Sequence, residues 1–594
     1  MAFSISPGVN VSEVDLTTVI PSVLTTAGAF AGQFNWGPVD TRIQVSSESN
    51  MLQIFTKPDS NTYVSYYTAA SFLSYGNNLK IVRSIGSTSY NADANSSYVT
   101  AVKNEDEYEY SYLGGDNANV AGPFMARYPG ALGNSLVIGV LDSSNTAAAN
   151  ATNASAWTVN GVSVASYFPG NPGTSLQATS AGAANDEIHV VVLDGQGLFT
   201  GVKNQVLEIF PYLSKASDAK DILGNSNYYK NYIFNNSKYI YVMDPPDYSN
   251  TTSTSLTTNK WGTPLSNGVN YTQLYRGANN NNSFVNVSLI GGTDSTPTNA
   301  NLQTSYDLFK NPDEVDVSLI ITGDASPTVQ AHVGNIAIAR KDCIAFVSPP
   351  SLNVINKSAS VATTSITSWA SSLLTTLASP TNYVVADSGW KYMFDKHNNT
   401  YRWIPLNGDI AGLCVYTDTQ ADPWFSPAGF NRGNLKNVIK LAWNPGKSER
   451  DSIYALGVNP VVTFPGQGTV LYGDKTFTTK PSAFDRINVR RLFIILEKTI
   501  AQASQYSLFE FNDDFTRSQF IALVSPFLRD IQGRRGIYDF RVVCDESNNT
   551  AEVVDSNRFV GDIYVKPARS INFIQLNFVA VRTGVSFNEI AGSI

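Results

Sequence analysis

Val317-Ser318-Leu319-Ile320-Ile321, a helical stretch from Val329 to Ala339, and Ile344-Ala345-Phe346-Val347 follow one another with short connections. Both strand segments are almost continuously apolar, as parallel strands buried on two faces are, and the helix between them supplies the crossover that parallel pairing needs. This βαβ unit sets the fold class as α/β. Outward from it, Trp369 to Leu377 reads as a further helix and Tyr383-Val384-Val385 as a further strand. Upstream, Tyr239-Ile240-Tyr241-Val242-Met243 is a short apolar strand. Nearer the start, Ser46 or Ser47 can cap a helix carrying Met51, Leu52, Ile54 and Phe55. A second helix, Tyr63 to Tyr75, stops before Gly76, and Leu79-Lys80-Ile81-Val82-Arg83 reads as a strand.

Between these pieces the character changes. Residues 101–200 are loose in composition, with strand-like runs at Ser135 to Leu141 and Ile188 to Leu193, and hold nine acidic residues against two basic ones, Lys103 and Arg127. That is most of the net charge of -8 carried by all 594 residues. An acidic, β-leaning insert is the reading, and residues 250–300, dense in Thr, Ser and Asn, read as a long loop. The last 200 residues pattern more strongly. Tyr392-Met393-Phe394 and Tyr401-Arg402-Trp403-Ile404 flank a polar turn, which predicts a hairpin. Asp485 is placed to cap a helix with Val489, Leu492, Phe493, Leu496 and Ile500 on one face, and Asp514 the next, with Phe520, Leu523 and Phe527. Phe540 to Cys544, Ile563 to Val565 and Ile571 to Val581 read as strands. From Lys475 onward, 15 basic residues face 13 acidic ones. At the other end Val9-Asn10-Val11-Ser12 alternates as a strand does, before Pro21. A lone terminal strand must find a sheet edge, its own or another subunit's.

The expectation is therefore α/β plus α+β, multidomain: a discontinuous α/β domain (21–100 and 200–385), a β-rich outer insert (101–199), an α+β C-terminal domain (386–582), and extended terminal arms (1–20 and 583–594). Charged residues are only 15%, against roughly 25% in ordinary soluble proteins. With a net negative charge and no basic face to displace counterions from phosphates, nucleic-acid binding is not expected. Three distant cysteines, Cys343, Cys414 and Cys544, encode neither a disulfide framework nor a zinc site. No apolar run approaches the ~20 residues that span a bilayer, and the first positive residue is Arg42, so neither membrane insertion nor a signal peptide is expected.

No motif asks for catalysis or a cofactor. Pro445-Gly446-Lys447-Ser448 ends like a P-loop, but Leu441 stands where its first glycine belongs. Gly466-Gln467-Gly468 has Leu471 at the third glycine position and reads as a turn. His189, His332 and His397 lie in unrelated segments. Asp244, Asp324 and Asp387 follow strands, where α/β enzymes place their groups, but capping and turn roles are the commoner use. Trp390, Trp424 and Trp443 read as core more readily than as a sugar platform. Arg534-Arg535 either grips an acidic partner or sits solvated beyond a helix end.

Taken in order, the chain resembles the contractile-tail sheath proteins of myovirus-type bacteriophages. The resemblance rests on Pro7-Gly8-Val9 with Glu13-Val14-Asp15, then Gly28-Ala29-Phe30-Ala31-Gly32, Trp36-Gly37-Pro38-Val39, Val206-Leu207-Glu208, Leu213-Ser214 and Ser237-Lys238-Tyr239-Ile240. It is strongest in Trp424-Phe425-Ser426-Pro427-Ala428-Gly429 with Arg432-Gly433, followed by Asn488-Val489-Arg490-Arg491-Leu492, Gly536-Ile537, Val543-Cys544-Asp545 and Asn548-Asn549. It implies a structural subunit, not an enzyme, that polymerises as stacked six-subunit rings around a tail tube and contracts to drive the tube through the host envelope. Implied partners are other sheath subunits, the tail tube protein, the baseplate and the tail terminator. The implied location is the virion tail, assembled in the host cytoplasm. The terminal arms, with Val9, Val11, Glu13, Asp15, Phe587 and Ile590, would join subunits. The C-terminal domain would face the tube, with Arg529, Arg534 and Arg535 as its contacts. Two rivals remain open: the sheath of a phage-derived bacteriocin or other contractile injection device, and a tail-associated glycan hydrolase using a carboxylate pair.

Overall fold

The computed structural model describes residues 25–94, 100–113, 123–143, 157–243, 261–271, 284–572 and 575. It divides into a larger unit, Val23–Ala421 with Pro427–Ile487, and a smaller one that takes Asp422–Ser426 and the chain from Asn488 on.

The larger unit opens with β1 (Gly28–Gly32), β2 (Arg42–Val45), α1 (Glu48–Phe55), α2 (Tyr63–Leu73) and β3 (Leu79–Arg83). Of the two serines the sequence offers, Ser47 caps α1, its side chain accepting from the Asn50 amide. The chain then leaves for a four-stranded antiparallel sheet of β4 (Leu136–Asp142), β5 (Glu187–Asp194), β6 (Gln205–Ser214) and β7 (Phe284–Ser288), in the order β7-β4-β5-β6. Its central strands are buried on both faces. Leu136, Ile138 and Val140 of β4 pack into one core with Ile188, Val190 and Val192 of β5, while Val137, Leu141, Val191 and Leu193 pack into another with Trp157 and Val159. That is why these runs read as continuously apolar rather than alternating.

The chain returns through β8 (Leu319–Ile321), α3 (Pro327–Arg340), β9 (Ile344–Val347), α4 (Ala359–Thr376) and β10 (Val384–Asp387). The hairpin β11 (Trp390–Asp395) and β12 (Thr400–Pro405), helix α5 (Asn407–Gln420), β13 (Lys440–Leu441) and β14 (Val458–Asn459) follow. The main sheet runs β14-β10-β9-β8-β1-β3-β2, all parallel except the edge strand β2. Gly466 and Gly468 close a hairpin between Val461–Phe464 and Gly468–Leu471, the turn expected of them.

Three expected boundaries shift. The insert does not end at 199, because its sheet needs β6 and β7, and β7 lies within the stretch expected to be a loop at 250–300. The C-terminal domain does not begin at 386, because β14 pairs with β10 (Ala386↔Val458) and completes the main sheet. α4 starts at Ala359, well before Trp369: its buried face runs from Ala362 and Ile366 through Trp369, Ala370 and Leu373, but in the first turns those apolar residues stand among Ser and Thr that dilute the stripe.

Arg83, at the end of β3, is 1% exposed. Its guanidinium donates to the carbonyls of Phe34 (2.8 Å), Gly37 (2.9 Å), Asn35 (3.3 Å) and Pro129 (2.7 Å). One side chain thus satisfies four carbonyls from two loops. Burial pushes its pKa down to about 10, opposed by the nearby Asp294 carboxylate.

The smaller unit is α6 (Ile487–Ser504), α7 (Asp514–Gly533), and the antiparallel hairpin β15 (Ile537–Val543) and β16 (Asp562–Pro567). Leu492 and Leu496 of α6, Phe520, Val524, Leu528 and Ile531 of α7, and Ile537 of β15 form its core with Trp424. α6 begins two residues after Asp485, which faces Arg486 instead of capping (3.7 Å). α7 is capped by Asp513, one residue before the Asp514 expected, with its side chain accepting from the Thr516 amide. From Ile571 to Val581 only Ile571, Asn572 and Gln575 are described, and none is in a strand.

Candidate assembly surfaces

The hairpin of the smaller unit has the simplest chemistry in the molecule. Among the described residues β15 and β16 pair only with each other, so each keeps one edge of backbone N–H and C=O groups outside any ladder. Tyr538 and Tyr564 stand 64% and 61% exposed on these strands. The long connection between the strands is held by asparagines. Asn548 Nδ2 donates to the Val543 carbonyl (2.9 Å) and to Asp562 Oδ2 (3.0 Å). Asn549 exchanges hydrogen bonds with the Val560 backbone, donating to its carbonyl at 2.8 Å and accepting from its amide at 2.9 Å. The Asn548-Asn549 pair thus fixes the hairpin, a role that no spacing in the sequence reveals. A Cβ on Gly536, where α7 gives way to β15, would stand 2.6 Å from Ile531 Cγ2 and 3.2 Å from the Trp424 ring, so this turn needs glycine.

The three arginines named as tube contacts meet different fates. Arg529 and Arg535 are exposed and, among the described residues, neither has an acidic partner. Arg535 sits at φ +66, in the left-handed region just past α7. Arg534 is engaged within its own unit: it pairs with Asp422, approaches Asp530 Oδ2 at 3.5 Å, and lies 5.1 Å over the Trp424 ring, while its carbonyl accepts from Trp424 Nε1 (3.1 Å). Its side chain nevertheless remains 53% exposed. A partner more than a hundred positions away leaves no local signal in the sequence. The arm residues Val9, Val11, Glu13, Asp15, Phe587 and Ile590 lie outside the described residues.

The enzyme candidates do not converge. Asp387 ends β10 fully buried, accepting from Ser348 Oγ (2.6 Å) and the Gly389 amide (2.9 Å). Burial pushes its pKa up to about 8 against those two hydrogen bonds. Asp324 is exposed at the end of β8, and Asp244 lies outside the described residues. His189 is inside β5, its Nε2 donating to the Gly170 carbonyl (2.8 Å) while its Nδ1 accepts from the Tyr212 amide (3.0 Å), with burial holding its pKa down. His332 faces Asp307 (3.0 Å) on α3, and His397 meets Tyr66 (3.2 Å) in the β11–β12 turn. Trp390, Trp424 and Trp443 are all buried, with Nε1 of Trp390 and Trp443 on the Pro349 and Ser388 carbonyls. Among the described residues no group of three or more His, Cys, Asp or Glu is placed to hold a metal, and no helix is long and apolar enough to cross a membrane.

The Ser-Pro-Ala-Gly stretch also resolves into backbone geometry. The Gly429 amide donates to the Leu471 carbonyl (2.9 Å), the Gly433 amide to the Gly429 carbonyl (2.7 Å) and the Leu471 amide to the Gly433 carbonyl (2.8 Å). A Cβ on Gly433 would stand 2.8 Å from Gly429 backbone atoms, so the motif is a close turn laid against a strand.

Two family models cover these regions. The phage tail sheath protein central domain matches residues 296–477 and the phage tail sheath C-terminal domain residues 479–580. The chain belongs to the phage tail sheath protein family, and is a tail sheath subunit. It is 34% identical to the tail sheath protein of Vibrio phage KVP40, across 99% of this chain and all of that one. It is 32% identical to the tail sheath protein of Enterobacteria phage T4, across 99% of each. Among solved structures, the sheath tail protein of Listeria innocua aligns with 92% of this chain and 96% of its own at 11% identity and a TM-score of 0.49. The sheath of an extracellular contractile injection system in its contracted state aligns with 49% of this chain and 77% of its own, at 19% identity and a TM-score of 0.40. The junction between the two family models, at residue 478, also falls nearer the observed start of the smaller unit at Asn488 than the expected 386.

Proposed function

We propose that this sheath subunit works as one cell of a strand-linked mesh. Subunits stack as six-membered rings around a tail tube, and terminal arms of neighbours, carrying Val9, Val11, Glu13 and Asp15 or Phe587 and Ile590, add strands to the open edges of β15 and β16. The observation that carries this is the two-stranded hairpin whose edges meet no other strand among the described residues. Backbone edges of this kind are completed by an extended segment of another chain without demanding a particular side-chain code. The smaller unit faces the tube, and Arg529 and Arg535, exposed and in no ion pair among the described residues, supply the positive contacts. The four-stranded acidic insert points outward. The work is structural rather than enzymatic: the polymer spans from baseplate to tail terminator in the virion tail after assembly in the host cytoplasm, and shortens to drive the tube through the host envelope.

Negative-stain microscopy of the purified protein tests the polymer, with striated hollow cylinders expected and discrete particles counting against it. Co-sedimentation with isolated tubes tests the face. Arg529→Glu with Arg535→Glu should weaken binding most at low salt, because exposed charges are screened beyond about 10 Å at 0.1 M. Equal binding at every ionic strength would remove these two arginines from the tube contact. Arg534 is left out of that variant because reversing it breaks its pair with Asp422.

A further inference from the structure

The acidic insert contains a lysine for which the sheath role gives no use. Lys215 is the residue after β6, and its side chain is 0% exposed; Asp142 is the last residue of β4, and its side chain is 8% exposed. Lys215 Nζ contacts Asp142 Oδ1. β5 runs between the two strands, with Asp142 opposite Ile188 and Glu187 opposite Ser214, so the pair reaches across an intervening strand. Two ladder steps amount to about 10 Å between backbones, which an extended lysine and an aspartate together cover.

We propose that Lys215 and Asp142 join in an intramolecular isopeptide bond, formed by the folded insert without any other reagent. The neutral amine attacks Asp142 Cγ, a C–N bond forms, a C–O bond breaks, and one water leaves. Lysine amine plus aspartic acid gives amide plus water, with no change of oxidation state.

The surroundings fit each part of that step. Burial holds the Lys215 pKa down, which favours the uncharged, nucleophilic amine, against the attraction of Asp142 and Asp186. The amine is aimed by the Asn185 carbonyl (2.9 Å) and lies 5.2 Å over the Trp261 ring, which keeps water out. The Ser143 hydroxyl lies 3.2 Å from the amine and 3.3 Å from Asp142 Oδ1. It touches both reacting groups and is placed to carry the proton from nitrogen to the departing oxygen. Asp186 accepts from Ser175 N, Ser175 Oγ and Ser214 Oγ, each at 2.8 Å, which hold its carboxylate in place where it stabilises the nitrogen while that atom is transiently positive.

A second buried pair shows what an ordinary ion pair looks like here. Lys391 Nζ contacts both oxygens of Asp409, at 2.9 Å and 2.8 Å, and so lies between them. Asp409 also accepts from the Tyr75 hydroxyl (3.2 Å), but among the described residues no hydroxyl contacts both the Lys391 amine and the carboxylate, so nothing stands where Ser143 does to carry the proton. No bond is expected between these two.

The test uses the full-length protein. Its mass after denaturation should be one water below the sequence value. Trypsin should fail to cut after Lys215, because an acylated lysine is not a substrate. The digest should contain the peptide from Tyr128 to Lys203 linked to the one from Asn204 to Lys220, with Lys391 still cleaved. Lys215→Met should restore the full sequence mass, and Ser143→Ala should slow appearance of the linked peptides in freshly made protein. The wild-type digest decides the matter even if neither variant folds. A full sequence mass with normal cleavage after Lys215, or a lost water that maps to other residues, overturns the proposal.

Discussion

Deleting residues 1–16 should leave a folded subunit that no longer forms tubes. An arm laid along the edge of β15, which is seven residues long, completes about six backbone hydrogen bonds, because alternate residues present both an N–H and a C=O outward. At about 0.5–1.5 kcal/mol net each, they contribute roughly 3–9 kcal/mol. Fixing about seven arm residues costs about 7–14 kcal/mol of backbone entropy. The ladder alone therefore does not hold an arm. Burying Val9 and Val11 adds about 3–6 kcal/mol, at about 1.5–3 kcal/mol each, and brings the sum close to balance. One arm on one neighbour is marginal, and a ring in which every subunit gives and receives is held by the multiplicity of links. Free subunits should then show fast amide exchange at Val9 to Ser12, slowed strongly in tubes. The truncated protein should melt within a few degrees of the full chain yet give no cylinders in negative stain. Cylinders from the truncated protein, or strong protection of Val9 to Ser12 in the free subunit, would refute the reasoning, since the arm would then pair within its own chain or contribute nothing.

Arg83→Met should cost about 3–5 kcal/mol in chemical denaturation, because four carbonyls lose a buried charged donor together; a loss under 1 kcal/mol would mean that water replaces it. Asp387 sets a pH slope. Its folded pKa of about 8 lies above the unfolded value near 3.9, so the folded state binds the extra proton and this group's stabilisation falls as pH rises from about 4 to 8. Asp387→Asn should flatten that part of the stability profile, and an unchanged slope would clear Asp387 of it. Excising 101–200 should give aggregated protein, since it removes β4 and β5 and leaves β6 and β7 without partners. Replacing 90–293 by a short linker should spare the main sheet, because the chain leaves and returns at one place, with the Gly86 amide on the Ser295 carbonyl (3.1 Å). A circular dichroism melt of the two excisions separates them, and equal behaviour would show that the insert has no sheet of its own.

What could be read in advance depended on whether neighbouring residues hold the information. The strands at Leu79–Arg83 and Ile344–Val347 carry their burial in their own side chains and were legible to the residue. The boundary at 386 was not, because whether Val458–Asn459 joins the main sheet depends on its register against Ala386 and Asp387, far back in the chain. The insert misled for a related reason. Its charge balance marks 101–200, but its sheet closes with Gln205–Ser214 and Phe284–Ser288, and neither strand is acidic enough to extend the pattern. Arg534 shows the same limit at one side chain: beyond a helix end it reads as a free charge, and only the fold brings Asp422 and Trp424 to it.

The strands of the candidate assembly surface were legible at Phe540 to Cys544 and Ile563 to Val565, but their open edges were not, for a different reason. An enzyme advertises itself because its chemistry needs particular side chains at particular spacings. A strand edge offers N–H and C=O groups that every residue but proline carries, so its chemistry does not depend on which side chains are present. What the sequence does encode is the support: Asn548 and Asn549 hold the β15–β16 connection, Gly536 admits the close approach of Trp424, and Asp513 caps the helix packed behind. Asn549→Ala should therefore act on assembly through the hairpin. It leaves the Val560 amide and carbonyl without their partner and loosens the edge that an arm would meet. Tube formation should fall more steeply than the melting temperature, because the main sheet of the larger unit is untouched. Equal losses in both would mean that the hairpin is needed for the fold of the smaller unit itself and is not a separate landing site.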